Sequence, residues 1–128
     1  LKSLETDLLS DPELRALLAG LQHPFCVASS GAHDKIRLSL RAANLLDLFE
    51  GQIFSAEDVA RGKPAPDVFL LAAQHNSVQP WQCLVIEDSG PGVAAGQAAG
   101  MTTLQYLPGG DGKRENEIQH LSQLKQWL

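Results

Sequence analysis

The sequence predicts an α/β fold on a parallel sheet, and three observations carry that prediction. Short apolar runs that suit buried strands alternate with amphipathic stretches that suit helices. Several of the runs end in polar groups just ahead of the next helix, as in Val27-Ala28-Ser29-Ser30-Gly31 and Val85-Ile86-Glu87-Asp88-Ser89. The chain has 128 residues, 44% hydrophobic and 20% charged, which suits one domain with its own core. Strand and helix in alternation place helices on both faces of the sheet, and ligands beyond the carboxyl ends of its strands.

The elements follow in order. Residues 11–21 predict a short helix, capped by Ser10 or Asp11 with Pro12 in its first turn. Phe25 to Ala28 reads as a buried strand. His33 to Leu45 reads as a helix, with Ile36, Leu40 and Ala43 inward and Lys35, Arg37 and Arg41 outward. Gln52 to Ser55 is a strand. Pro66 to His75 is a helix, because proline suits the first turn and Asp67 suits its positive end. Cys83 to Ile86 is the next strand. Pro91 to Ala99 is a helix of small residues closed by Gly100. Met101 to Leu107 is a strand, residues 108–113 a turn-rich loop, and Ile118 to Leu128 a closing helix with Leu121, Leu124 and Trp127 or Leu128 inward.

Composition excludes several classes. The net charge of −5, without a basic stripe, argues against a nucleic-acid surface. No apolar stretch approaches the roughly 20 residues of a membrane span, and no signal peptide is visible, so a cytoplasmic location is expected. Cys26 and Cys83 lie in apolar runs and read as buried, reduced thiols. The 4 histidines lack ligand spacing.

Three strings carry the chemistry. Glu87 and Asp88 end one apolar run; adjacent carboxylates repel unless a cation intervenes, and Mg²⁺ takes one or two carboxylates with waters and substrate phosphate. The plainer reading is that Asp88 or Ser89 caps the following helix. Lys63 stands in Gly62-Lys63-Pro64-Ala65-Pro66-Asp67, a stiff turn that positions an ammonium for phosphate oxygens; the plainer reading is a solvated surface lysine. Ser29, Ser30 and Gly31 offer hydroxyls and backbone N–H groups for an anion, or an ordinary helix cap. Asp34 and Lys35 reach the same edge but suit a solvated first turn. The loose glycine pattern Gly90, Gly92, Gly96 resembles a dinucleotide loop, but Glu87 and Asp88 would repel a pyrophosphate, and close helix–sheet packing explains the glycines better.

Taken together, these strings resemble the haloacid dehalogenase (HAD) superfamily of phosphohydrolases, in the branch of β-phosphoglucomutase and sugar-phosphate phosphatases. The likeness runs over roughly Asp11 to Leu107. Ser29 matches the family's second motif, Lys63 the third, and Glu87-Asp88-Ser89 the fourth. The resemblance implies a Rossmann-like core and phosphoryl transfer through an aspartyl-phosphate. An aspartate attacks phosphorus, and a second aspartate two residues on protonates the leaving group and then activates water. It implies catalytic and phosphate-binding roles for Ser29 and Lys63, phosphate contacts from Ser30 and Gly31, and Mg²⁺ on Asp88 with Glu87 in support. The substrate class it implies is a small phosphorylated metabolite, hydrolysed or, alternatively, isomerised by a phosphosugar mutase.

One part of the pattern is missing. The sequence contains no Asp-x-Asp, the family's nucleophile motif, and it does not begin with methionine. The expectation is therefore the carboxyl-terminal part of a longer enzyme, with residues 1–9 a remnant of the family's cap and the rest of 1–128 one core domain. Such a chain would lack turnover by itself, or would be a non-catalytic binding module. The family's first strand lies between the strand of Ser29 and the strand of Asp88. Without it, two half-sheets face each other with unpaired backbone groups, at about 1–3 kcal/mol each. A partner chain, another copy or a preceding segment could supply that strand, or the halves could close on each other.

Overall fold

The computed structural model describes residues 11–128. The cap remnant expected at 1–9 and the Ser10 cap lie outside them. The elements are α1 (Leu14–Ala19), β1 (Val27–Ser29), α2 (His33–Ala42), β2 (Ile53–Ser55), α3 (Asp67–His75), β3 (Leu84–Glu87), α4 (Gly90–Ala98), β4 (Thr102–Tyr106) and β5 (Glu117–Ile118). Turns of 3₁₀ helix occupy Leu46–Leu48, Ala56–Asp58, Pro80–Gln82 and Leu121–Gln126.

Among the described residues the strands form two parallel sheets, β1–β2 and β3–β4–β5. The halves expected from the sequence are present, and β1 and β3 are not paired with each other. Two apolar cores hold them in one layer. Strand alternation sends Val27, Ile53, Leu84, Ile86 and Leu104 to a core shared with α1, α2 and the carboxyl-terminal turn. It sends Ala28, Phe54 and Val85 to a second core against α3 and α4. Each core takes side chains from both sheets, so burial couples two sheets that hydrogen bonds do not.

Most element boundaries shift by one or two residues from expectation, as helix and strand ends do. Two differences have physical causes. The second helix ends at Ala42 rather than Leu45. Asn44 adopts φ +60°, and Leu45 N–H turns back to the Leu40 carbonyl at 2.8 Å, a left-handed C-cap. The closing helix expected over Ile118–Leu128 is not formed. Glu117–Ile118 instead extends the sheet, with Leu107 N–H donating to the Ile118 carbonyl at 2.8 Å. Leu121 and Leu124 are then buried on a 3₁₀ turn, whose three-residue period suits their spacing. The Gln123 side-chain oxygen accepts from Gln119 and His120 N–H and caps that turn. Trp127 and Leu128, one of which was expected to point inward, are exposed.

Gly96 confirms the close helix–sheet packing: an added Cβ would lie 2.4 Å from Thr103 Oγ1. Both cysteines are free and partly buried. Burial pushes the Cys26 thiol up to about 11, and nearby Cys83 adds to it. No helix of the described residues is long and apolar enough to cross a membrane.

At the carboxyl rim β2 is tied to α2. Asp58 Oδ2 accepts from Ser55 N–H at 2.9 Å and lies 2.7 Å from His33 Nε2, while Glu57 Oε1 accepts from His33 N–H at 2.7 Å. The Ser55 N–H, and secondarily His33, hold the Asp58 carboxyl below its ordinary value against the opposing effect of burial. A carboxylate with a depressed folded pKa contributes stability above its unfolded pKa and loses it as pH falls through the folded value. Urea midpoints should therefore show Asp58→Asn costing stability at neutral pH, with the cost shrinking below about pH 4. A cost independent of pH would show that Asp58 acts through packing alone.

Candidate active site

The rim of the sheet holds one buried ammonium, and of the predicted residues Glu87 pairs with it directly. Lys63 lies in the loop between β2 and α3, and that loop is braced at both sides. Arg61 pairs with Asp67 at 3.0 Å, and Ala65 N–H closes a turn on the Gly62 carbonyl at 3.0 Å. The Lys63–Pro64 peptide is cis. The lysine side chain is 5% exposed, not solvated. Its Nζ donates to Glu87 Oε1 at 2.8 Å and to the Ala28 carbonyl at 3.0 Å. It also lies 5.0 Å from the centre of the Phe69 ring, whose π face favours a cation.

Those contacts place Lys63 across the divide between the sheets. Val27 N–H bonds to the Gln52 carbonyl and so faces β2. Strand alternation then turns the Ala28 carbonyl away from β2, toward the inner edge, where Lys63 takes it. Glu87 ends β3 on the other side and is equally buried, its side chain 4% exposed. One ammonium therefore joins the inner edge of β1 to the end of β3.

Ser29 follows Ala28 directly and is buried. Its Oγ accepts from Gly31 N–H at 3.0 Å. The turn is held from β2 by the fully buried Ser55, whose hydroxyl donates to the Gly31 carbonyl at 2.6 Å. Ser30 is exposed. The backbone part of the expected anion seat is smaller than the sequence suggests, because Gly31 N–H goes to Ser29 and His33 N–H goes to Glu57. Asp88 follows Glu87 at the same rim and is half-buried. Its carbonyl accepts from Gln105 Nε2 at 3.0 Å, a brace from β4. The cap on α4 comes from Ser89, whose Oγ accepts from Gly92 N–H at 3.1 Å. That settles the helix-cap alternative: Ser89 caps, not Asp88.

Sequence reasoning named Lys63, Glu87, Ser29 and Asp88 but missed the ion pair, Ser55 and Gln105. Period-two alternation was the available signal for the pair. Glu87 lies two residues beyond Val85, on the face that α3 and α4 cover. Among the described residues no group of three His, Cys, Asp or Glu could hold a metal. The donor set at the rim is instead one or two carboxylates with oxygen only. That fits Mg²⁺, which keeps several waters, better than a closed protein cage.

Comparison with known proteins shows the family to which the chain belongs. The family model for haloacid dehalogenase-like hydrolases matches residues 3–100, and the chain belongs to that family. Its fold is the HAD-like α/β core, and several of the curated relatives it matches are named as phosphatases. It is 32% identical to 6-phosphogluconate phosphatase of Escherichia coli K12 over 94% of its own length and 59% of that protein's. A HAD family hydrolase from Deinococcus radiodurans R1, solved with bound phosphate and sodium, superposes with a TM-score of 0.78 at 35% identity. That match covers 89% of this chain and 55% of the other. YfnB of Bacillus subtilis, assigned as a HAD-hydrolase and solved with magnesium, gives a TM-score of 0.76 at 26% identity over 91% of this chain and 54% of YfnB. The chain thus spans little more than half of these relatives.

Removing one partner of a buried ion pair leaves an uncompensated charge, which costs about 3–5 kcal/mol. Glu87→Gln should lower unfolding free energy by an amount in or near that range, read from urea denaturation. A loss as small as that of an exposed surface pair, under about 1 kcal/mol, would show that the pair is solvated.

Proposed function

We propose that this chain forms the phosphate- and Mg²⁺-binding part of a phosphatase that hydrolyses a small phosphorylated metabolite. One observation carries the reading: Lys63 Nζ joins the residue before Ser29 to the residue before Asp88 at a single sheet rim. The sequence separates these residues widely, and an anion site needs them together.

The roles follow from the chemistry. Lys63 supplies positive charge to phosphate oxygens and to charge that develops during transfer. Glu87 holds that ammonium in place, so no reorganisation is needed when the anion arrives. Ser29 orients a phosphate oxygen, and Ser30 and Gly31 shape the turn around it. Asp88 would hold Mg²⁺, with Glu87 in support, and the ion would offset phosphate charge. The nucleophile is an Asp-x-Asp strand, which this sequence does not contain. In our reading it comes from a segment outside these 128 residues, in the same polypeptide or in a partner, and seats between β1 and β3. The 128-residue chain alone then shows no turnover. The missing motif equally favours a second reading, a non-catalytic module that binds phosphate and Mg²⁺ only.

The test is complementation. The chain is mixed with a segment bearing the Asp-x-Asp strand, and p-nitrophenyl phosphate turnover is followed with and without Mg²⁺. Turnover that needs both parts and the metal supports the phosphatase; Mg²⁺ binding without turnover supports the module. In the complemented protein Asp88→Asn should weaken Mg²⁺ by more than the about 10–100-fold typical of groups behind a metal's direct ligands. Unchanged Mg²⁺ affinity by calorimetry would remove Asp88 from the metal site.

A further inference from the structure

Gly92 meets the one carboxylate oxygen on which Lys63 depends. A Cβ built on Gly92 would lie 1.7 Å from Glu87 Oε1, 2.3 Å from its Cδ and 2.9 Å from its Cγ. Oε1 is also the atom that accepts from Lys63 Nζ at 2.8 Å. No other account of this glycine fits as well. Its φ lies outside the left-handed region, so conformation does not require glycine. It sits inside α4, where alanine is the better helix former. Alanine is already used at 94, 95 and 98 of the same helix.

We infer that Gly92 is a positioning residue: the lack of a side chain there lets the Glu87 carboxylate close on Lys63. Gly96, one turn on, supplies the contrast. A Cβ at Gly96 would meet Thr103 at Oγ1, Cγ2 and Cβ, a short branched side chain rooted in β4 that cannot swing aside. Filling that position moves the helix. The three nearest atoms to a Cβ at Gly92 all belong to the outer part of the Glu87 side chain, which can rotate away. Filling that position moves the carboxylate and leaves the helix in place. Two glycines of one helix therefore serve different ends, one spacing the helix from the sheet and one aiming an ion pair.

The meaning for catalysis rests on the role proposed above for Lys63; the contact itself does not. The experiment therefore reads the lysine without turnover. The full 128-residue chain is treated with an amine-acylating reagent under native conditions, and labelling at each lysine is followed by mass spectrometry. In the parent chain Lys63 should label far more slowly than the exposed Lys35 and Lys113. Reaction at a buried amine passes through local opening, so Gly92→Ala should speed Lys63 labelling by about tenfold or more with the exposed lysines unchanged. Gly92→Ala combined with Glu87→Asp, which shortens the side chain by one methylene, should recover at least half of the protection. Gly96→Ala should lower thermal stability with a smaller effect on Lys63 than Gly92→Ala has. The inference is overturned if Lys63 in Gly92→Ala labels at the parent rate. It is also overturned if Glu87→Asp recovers nothing, or if Gly92→Ala unfolds the chain and Glu87→Asp does not restore folding. Failure of turnover in the protein complemented with the Asp-x-Asp strand, with intact labelling behaviour in the 128-residue chain, would count against the proposed phosphatase and leave the role of Gly92 standing.

Discussion

The structure turns on one buried cation. Lys63 is closed from water, bonded to a backbone carbonyl of β1 and to a carboxylate at the end of β3, and backed by an aromatic face. Burying a charge is costly unless it is paired and hydrogen-bonded, and here both conditions are met. Such a pair need not add to stability compared with an apolar substitute. What it does is fix a geometry. It holds the rim of one half of the sheet against the rim of the other, where no strand-to-strand hydrogen bonds join β1 to β3.

Around that link the fold divides its tasks. The two apolar cores, one on each face, keep the half-sheets in a common layer by burial, which is strong but undirected. The rim is set by directed contacts. Ser55 reaches the Gly31 carbonyl, Gln105 reaches the Asp88 carbonyl, and Arg61 with Asp67 closes the loop that carries Lys63. Ser55 and Gln105 lie on strands and Asp67 begins a helix, so the positions of Ser29, Lys63 and Asp88 are tied to the rigidity of the layer. The same rim orders the polar groups by kind, with hydroxyl and backbone donors on β1, the cation between and carboxylates on β3. An anion and a divalent cation bound together would suit that gradient.

Much of this was legible in the sequence. Alternating apolar runs and amphipathic stretches fixed the order of elements because each period has one structural solution. Lys63, Glu87 and Asp88 were legible as chemistry because two prolines and two neighbouring charges are unusual beside apolar runs. Their partners were not. Lys63 reads as an exposed lysine bound for a ligand, whereas it is buried against Glu87, since pairing depends on strand phase and loop path rather than on spacing. The closing helix failed because Leu121 and Leu124 fit a 3₁₀ turn as well as an α-helix, and the short strand before it has too few residues to show a period. The glycines of α4 were legible as close packing, yet the difference between Gly92 and Gly96 depends on which side chain stands opposite each.

The most direct measurement is a double-mutant cycle on Lys63 and Glu87, with Lys63→Met and Glu87→Gln made singly and together and unfolding free energies taken from urea denaturation. If this pair joins the two halves of the sheet, the two losses are strongly non-additive, with a coupling of about 1.5 kcal/mol or more. Losses that simply add, to within the roughly 0.3–0.5 kcal/mol seen for independent sites, would mean that the ammonium and the carboxylate do not depend on each other.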